Sequence, residues 1–146
     1  MAIVRRASRL DIPQIVEMGV AFAEASKVAH QFEVSVENII LFANEVLESS
    51  MWVKLVLEQE GVLVGMIGGV LTPIFFSKDI ALQELVWYVK NGVNGLPLLR
   101  AFENEANVLG ATQIVIGDKP GYVDMQKIYS RLGYRLLERQ YVKKVK

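Results

Sequence analysis

The chain has 146 residues, no cysteine, and 16 basic against 16 acidic side chains, so its formal net charge is zero. This length suits a single domain over residues 1–146. The lack of thiols excludes disulfides, cysteine nucleophiles and cysteine-based zinc sites, and it fits a cytoplasmic location. The single histidine excludes a multi-histidine metal site, and zero net charge gives no overall field that would attract nucleic acid.

No segment of the chain is predicted to cross or enter a membrane. The apolar stretch Val62–Phe76 is interrupted by glycines, Thr72 and Pro73, and it is shorter than the roughly 20 residues of a spanning helix. Residues 1–6 lack the apolar core of a signal peptide. We therefore expect no membrane partner and no leader for export.

The first part of the chain predicts two helices and four strands. Asp11 and Gln14 resemble a capping box that begins the first helix, and a polar loop from Lys27 to Glu33 joins the two helices. Glu60-Gly61 separates two alternating stretches, which predicts an antiparallel hairpin. In chain order we predict a strand at 2–8, a helix from Asp11 to about Ser26, a helix after Ser35, and strands at 52–59, 62–71 and 80–89.

The rest of the chain predicts two more helices and two more strands. They are a helix from Leu96 stopped by Gly110, a strand at 113–117, a helix from about Val123 to Leu132, and a final strand from Tyr134 to Val145. The order βααβββαβαβ is typical of an α/β fold with a mixed sheet of the α+β kind. The fourth and fifth strands should be parallel, and a ligand crevice can open where they diverge.

A glycine-bearing loop follows the fourth predicted strand. The strand Glu84–Val89 runs into Lys90–Gly95, and a helix opens at Leu96-Pro97. Free N–H groups and the helix dipole favour an anion there, and glycine lets the backbone approach a diphosphate closely. The loop predicts a nucleotide-like ligand, while two Gly and two Asn are also what an ordinary strand-to-helix turn uses.

The element order, this loop and the run Ile128-Tyr129-Ser130-Arg131-Leu132-Gly133-Tyr134 resemble the GCN5-related N-acetyltransferases, the GNAT family, over almost the whole chain. In that family the loop has the form Arg/Gln-x-x-Gly-x-Gly/Ala, and the last helix ends in Tyr-x-x-x-Gly-Phe/Tyr. Here Lys90, Val93 and Gly95 stand at the three loop positions, and Tyr122 replaces an Asn found in many members. The short arm between strand and helix resembles the compact acetyltransferases of tailed phages.

The resemblance implies a GNAT-like acyl-CoA N-acyltransferase fold and an acetyl-CoA-dependent N-acetyltransferase. The acceptor would be a primary amine of a small molecule, peptide or protein, in the cytoplasm or in the host cytoplasm of a phage. A homodimer is also implied, with the final strand as an edge for pairing. The residues expected to bind the co-substrate acetyl-CoA are Trp87, Tyr88, Val89, Lys90, Asn91, Gly92, Asn94, Gly95, Leu96 and Pro97.

Acetyl transfer from a thioester to an amine needs a base, a site for the oxyanion and an acid. By the resemblance Glu84 is the candidate base, and a two-residue period puts it on the face of Val86 and Tyr88. The backbone N–H groups near Tyr88 and Val89 are the candidate oxyanion donors. Tyr129 is the candidate acid for the leaving thiolate, because its phenol proton is available at neutral pH.

Each of these candidates also has a structural interpretation. A solvated carboxylate at a strand end explains Glu84, and an amphipathic core tyrosine explains Tyr129. His30 and Phe76 are the candidate substrate-binding residues, and an exposed loop histidine and a strand-ending phenylalanine are the simpler explanations.

Two other functions stay open at this point. One is a catalytically silent GNAT-fold module that binds CoA or another protein, and the other is a structural or host-interaction protein with no cofactor. A toxin that acetylates charged transfer RNA would need a basic face, which zero net charge does not suggest.

Overall fold

The computed structural model describes residues 1–26, 31–118 and 124–146, and these build a five-stranded mixed sheet with helices on both faces. The helices are α1 (Ile12–Ala25), α2 (Val36–Glu48), α3 (Leu96–Val108) and α4 (Gln126–Arg131), and the strands are β1 (Ala2–Arg6), β2 (Trp52–Gln59), β3 (Val62–Pro73), β4 (Ile80–Val89) and β5 (Gln113–Val115). The sheet order is β1-β2-β3-β4-β5, antiparallel except for the parallel pair β4 and β5. The predicted mixed α/β fold is confirmed.

The sheet buries one apolar cluster on each face. Leu98 and Phe102 of α3 pack with Leu55 on one face, and Met18 of α1 packs with Val56 on the other. Leu55 and Val56 are neighbours on β2, and successive strand residues point to opposite faces. This alternation places α1 and α3 on opposite faces of the sheet.

The start of α1 differs from the prediction. The Asp11 carboxylate accepts the backbone N–H of Ser8 at 2.7 Å and two bonds from the Arg5 guanidinium, each 2.8 Å. Gln14 Oε1 instead accepts the backbone N–H of Leu63 on β3 at 2.9 Å. The predicted Asp11–Gln14 capping box is therefore wrong, because a charge-assisted bidentate pair is a stronger use of the carboxylate.

The predictions for α2 and for the hairpin are confirmed. Ser35 caps α2, and its hydroxyl accepts the backbone N–H of Asn38 at 3.2 Å. β2 and β3 pair antiparallel across Glu60 and Gly61, whose φ angles are 51° and 79°. Gly61 tolerates this left-handed conformation without strain, so the turn forms where the sequence indicates.

A β-bulge interrupts the pairing of β4 with β3. Gly68 lies opposite Val86 and Gly69 lies opposite Glu84, so Leu85 is the extra residue on β4. A bulge of this kind leaves one residue unpaired and shifts the alternation of all residues beyond it.

The bulge changes which side chains share a face with Glu84. Val86 and Tyr88 pack against the α1 cluster, whereas Trp87 and Val89 pack against the α3 cluster. Glu84 lines the same cavity as Trp87 and Val89. The prediction that Glu84 shares a face with Val86 and Tyr88 is wrong, because the strict two-residue period ends at the bulge.

The predicted final strand is also wrong. Residues 132–146 contain no helix or strand, and all of residues 135–146 are exposed. The adjacent apolar pairs Leu136-Leu137 and Tyr141-Val142 interrupt the alternation of a half-buried strand. β5 is three residues long, two fewer than predicted at its end, so it offers only a short edge for a sixth strand.

None of the described helices is long and apolar enough to cross a bilayer. Within residues 1–26, 31–118 and 124–146, no three His, Asp or Glu residues lie in an arrangement that would hold a metal ion.

Candidate active site

A cavity of about 280 Å³ lies between the end of β4, the start of α3 and the helix α4. Its walls are mostly apolar, and Glu84, Asp118 and Tyr129 are the side chains with ionisable groups in it. The described residues that line it are Phe22, Glu84, Trp87, Val89, Val93, Asn94, Gly95, Leu96, Gly117, Asp118, Met125, Ile128 and Tyr129.

The divergence of β4 from β5 exposes one edge of the β4 backbone to this cavity. β5 pairs only with the first part of β4, so no described strand covers that edge further along. The Lys90 N–H donates to the Val64 carbonyl of β3 at 2.8 Å. Because an antiparallel ladder alternates, Tyr88 also bonds toward β3, whereas the N–H groups of Trp87 and Val89 point to the uncovered edge. The register thus favours Trp87 and Val89, rather than Tyr88, as oxyanion donors.

The loop before α3 uses part of its own hydrogen-bonding capacity. The Val93 N–H donates to the Lys90 carbonyl at 3.0 Å, and the Leu96 N–H donates to Asn94 Oδ1 at 3.1 Å. Pro97 has no N–H to offer. Val93, Leu96 and Pro97 therefore supply no free N–H donor for the diphosphate that this loop is predicted to bind.

The N–H groups of Gly92, Asn94 and Gly95 have no acceptor among the described residues. They stand just before the N-terminus of α3, where the helix dipole favours an anion. A Cβ built on Gly95 would lie 3.1 Å from Val89 Cγ1 and 3.2 Å from Trp87 Nε1. Glycine at this position keeps the loop packed on the indole and its amide open to a ligand.

Glu84 and Tyr129 both bind the backbone of Gly117. Glu84 Oε1 accepts the Gly117 N–H, and the Tyr129 hydroxyl donates to the Gly117 carbonyl oxygen, both at 3.0 Å. Glu84 is 4% exposed and Tyr129 is 9% exposed. The structure therefore brings the two predicted catalytic residues together, two residues beyond the end of β5.

The environment of Tyr129 keeps its hydroxyl protonated. Burial raises the pKa of Tyr129 well above its ordinary value, and the negative charges of Glu84 and Asp118 raise it further. Its ring lies beside those of Trp87 and Tyr134, with centroids 6.5 Å and 5.6 Å away. Tyr129 is thus a hydrogen-bond donor at any ordinary pH.

The other predicted site residues are distributed as follows. Phe76 is 79% exposed in the turn between β3 and β4 and is not among the lining residues. His30 lies outside the described residues, as does Tyr122. The predicted cofactor-binding residues that do not line the cavity are Tyr88, Lys90, Asn91, Gly92 and Pro97.

Several lining residues were not predicted. Asp118 had a detectable signal, because polar residues just beyond the carboxyl end of a parallel strand often reach a ligand crevice. Phe22 and Met125 had none, since their role depends on how α1 and α4 approach the end of β4. The unpredicted lining residues are Phe22, Val93, Gly117, Asp118, Met125 and Ile128.

No protein-family model matches the chain, and no curated protein matches its sequence. The chain is similar in structure to the aminoglycoside N-acetyltransferase AAC(6')-Iy in complex with a CoA bisubstrate analogue. The TM-score is 0.80 at 11% identity, covering 100% of this chain and 99% of that chain.

Two further solved structures are similar over the same length. The ribosomal-protein-alanine N-acetyltransferase from Brucella melitensis biovar Abortus 2308 has a TM-score of 0.75 at 15% identity, covering 99% of each chain. A transcriptional regulator from Bacillus halodurans C-125 has a TM-score of 0.82 at 15% identity, covering 99% of this chain and 100% of that chain. These similarities establish that the chain has the GNAT acetyltransferase fold.

Proposed function

We propose that the chain is an acetyl-CoA-dependent N-acetyltransferase that acts on a primary amine of a small molecule, peptide or protein. The observation that supports this most is the cavity that is lined both by Asn94 and Gly95, whose amides are free, and by the cluster of Glu84, Gly117 and Tyr129. The free amides suit the anionic diphosphate of acetyl-CoA, and the cluster contains side chains that can exchange protons. Similar structures contain CoA or acetyl-CoA.

In this proposal the chain binds acetyl-CoA through backbone groups and apolar walls. The N–H groups of Gly92, Asn94 and Gly95 hold the diphosphate. Trp87 and Val89 line the path of the pantetheine arm, and their backbone groups face the uncovered edge of β4.

The reaction joins the acceptor nitrogen to the thioester carbonyl carbon and breaks the C–S bond. An alkylamine with a pKa of about 10.4 is mostly protonated at neutral pH, so Glu84 takes its proton before or during attack. The N–H of Val89 donates to the oxyanion that forms on the carbonyl. The products are an acetylated amine and CoA.

Tyr129 stabilises the departing thiolate in this scheme. Its hydroxyl proton, which points at the Gly117 carbonyl in the described state, turns toward the sulfur. A thiol with a pKa of about 8.5 is a stronger acid than a tyrosine whose pKa is raised. Full proton transfer is therefore uphill, and Tyr129 acts mainly as a hydrogen-bond donor until CoA collects a proton and leaves.

Two measurements test the function. At 100 times its Kd, acetyl-CoA should add about 2.7 kcal/mol to the free energy of unfolding, which a thermal melt detects. CoA released in the presence of an amine panel is then measured with a thiol reagent, and the chain has no cysteine to react with that reagent. A thermal shift with CoA release supports the enzyme, and the absence of any shift contradicts it.

The alternative is a catalytically silent GNAT-fold module that binds CoA or another protein. Val93 stands where the family loop has its first glycine, and its N–H is occupied by the Lys90 carbonyl, which favours this alternative. It predicts a thermal shift with acetyl-CoA and no CoA release with any amine.

The proposal extends to assembly and location. The large apolar side chains exposed beyond Tyr134 support a homodimer. Use of acetyl-CoA, a cytoplasmic metabolite, supports a cytoplasmic location, which would be that of the host if the short arm reflects a phage origin.

A further inference from the structure

Two apolar side chains of the cavity stand beside the proposed catalytic groups. Met125 and Ile128 both line the cavity and lie within about one turn of Tyr129 at the start of α4. The Tyr129 N–H donates to the Met125 carbonyl at 2.8 Å, and the Met125 N–H donates to Asp118 Oδ1 at 3.4 Å. These bonds place Met125 and Ile128 at the end of the cavity where the proposed proton transfers occur.

A third apolar side chain reaches the cavity from the other face of the sheet. Phe22 lies near the end of α1, and α1 and α3 lie on opposite faces. The loop that is proposed to hold the diphosphate precedes α3. An acceptor that approaches from the side opposite this loop therefore meets Phe22 together with Met125 and Ile128. We call these three residues the apolar wall.

The described residues of the cavity offer few hydrogen-bonding side chains. Apart from the buried indole N–H of Trp87, the polar side chains are those of Glu84, Asn94, Asp118 and Tyr129. Asn94 Oδ1 already accepts the Leu96 N–H, and the Tyr129 hydroxyl donates to the Gly117 carbonyl oxygen. A hydroxyl group of a ligand that is buried here without a partner lowers affinity about 5- to 150-fold.

The charges of the cavity favour a cationic acceptor. Glu84 is buried and Asp118 is exposed, and no Lys, Arg or His is among the described residues that line the cavity. Two carboxylates attract a protonated amine and repel an acceptor that carries carboxylates or phosphates. Because the rest of this end of the cavity is the apolar wall, only the reacting end of the acceptor meets these charges.

We propose that the acceptor is a primary monoamine whose body is a short alkyl chain or a single aromatic ring. This inference rests on the proposed function of the chain. As the N–C bond forms and the thioester C–S bond breaks, the amine proton passes to Glu84 and CoA leaves as the thiolate. The body of the amine packs on the apolar wall. A hydroxyl or a second ammonium on that body would face Phe22, Met125 and Ile128 without a partner.

The size of the cavity supports a small acceptor. Its volume of about 280 Å³ lies just below the range of about 300–1,000 Å³ that is common for pockets of drug-sized ligands. The thioester end of acetyl-CoA takes up part of this volume. A single ring or a short chain therefore fits the remaining space better than a compound of several hydroxylated rings.

Three amines that differ only in the group at the far end test the proposal. Pentylamine, 4-aminobutan-1-ol and 1,4-diaminobutane end in a methyl, a hydroxyl and an ammonium group on the same chain of methylenes. Measured by CoA release at saturating acetyl-CoA, kcat/KM should be at least about fivefold higher for pentylamine, because the polar ends lose their hydration at the apolar wall. A smaller difference, or a preference for either polar amine, would overturn the proposal.

Substitution of Met125 tests whether the apolar wall makes this choice. Met125→Gln places an amide of similar length there and should lower the preference for pentylamine over 4-aminobutan-1-ol at least about threefold. Met125→Leu keeps the wall apolar and should keep the preference within about twofold of wild type. Phe75 is 98% exposed in the turn between β3 and β4, so Phe75→Ala is the control that should change neither rate. The same preference in Met125→Gln and Met125→Leu would overturn the role of the wall.

The outcomes also separate this inference from the proposed function. The panel includes an aminoglycoside and a peptide that begins with alanine, and each variant is melted with and without acetyl-CoA to check folding and binding. A higher kcat/KM for the aminoglycoside or the peptide than for pentylamine would overturn this inference and leave the enzymatic function intact. CoA release with none of the amines would contradict the proposed function and this inference together.

Discussion

Glu84→Gln separates the proposed base from the structural role of the same side chain. Glu84 Oε1 accepts the Gly117 N–H at 3.0 Å, and the side-chain oxygen of glutamine can accept the same bond. The substitution should keep Gly117 in place while it removes the negative charge of the side chain and its ability to take a proton. Glu84→Ala removes the acceptor altogether, and the loss of this partly buried hydrogen bond should cost about 0.5–1.5 kcal/mol of unfolding free energy.

The size of the effect on rate depends on pH. A general base contributes about 10²- to 10⁴-fold, so we expect a loss of that order for Glu84→Gln at pH 7. The neutral fraction of an alkylamine with a pKa of about 10.4 rises from about 1 in 2,500 at pH 7 to about 1 in 25 at pH 9. The ratio of wild-type to variant rate should therefore fall by up to about 100-fold over this range.

The assay follows CoA release at saturating acetyl-CoA and compares kcat/KM for the acceptor from pH 6.5 to 9. Glu84→Gln should melt close to the wild-type temperature, and Glu84→Ala should melt several degrees lower. A rate loss of Glu84→Gln that is the same at every pH would refute the assignment of Glu84 as base, because it would show that the carboxylate acts only on structure.

Three further predictions follow from other parts of the structure. Tyr129→Phe should lower kcat at least about tenfold and leave the Kd of acetyl-CoA within about twofold, because the ring stays in place; an unchanged kcat removes Tyr129 from the mechanism. Gly69→Ala places a Cβ 2.6 Å from the Gln83 carbonyl oxygen, whereas at Gly68 the nearest atom is 3.5 Å away. By urea unfolding we expect Gly69→Ala to lose about 1–3 kcal/mol and Gly68→Ala much less, and equal losses would contradict the described packing. The neighbouring guanidinium lowers the pKa of Asp11, so the ion pair stabilises the fold above pH ~4 and is lost as pH falls through that lowered pKa. Acid titration of stability should be steeper for wild type than for Asp11→Asn, and identical curves would exclude this contribution.

Most helices and strands could be predicted because their signals are local. The apolar stripe Leu98, Leu99 and Phe102 sets the buried face of α3, and Ser35 marks the start of α2. The turn at Gly61 fixes the register of β2 and β3. Each of these depends on residues close together in the chain.

The bulge at Leu85 could not be predicted from β4 alone. It is visible only in the pairing with β3, where Gly68 and Gly69 lie opposite Val86 and Glu84. A pair of glycines inside a strand is a weak indication of a bulge on either partner. The face assigned to Glu84 was wrong for this reason.

The cluster at the end of β5 depends on long-range contacts. Glu84 and Tyr129 came from a family resemblance, but their shared partner Gly117 carries no side chain and no motif of its own. The prediction of a final strand was wrong for a related reason. A strand needs the edge of a neighbouring strand to pair with as well as a β-prone sequence.

The most direct test of the central claim is a crystal structure of the chain with CoA bound. The diphosphate oxygens should lie about 2.7–3.2 Å from the N–H groups of Gly92, Asn94 and Gly95, and the sulfur should lie beside the Tyr129 hydroxyl. CoA bound elsewhere, or a cavity filled by the chain's own side chains at saturating CoA, would contradict the account.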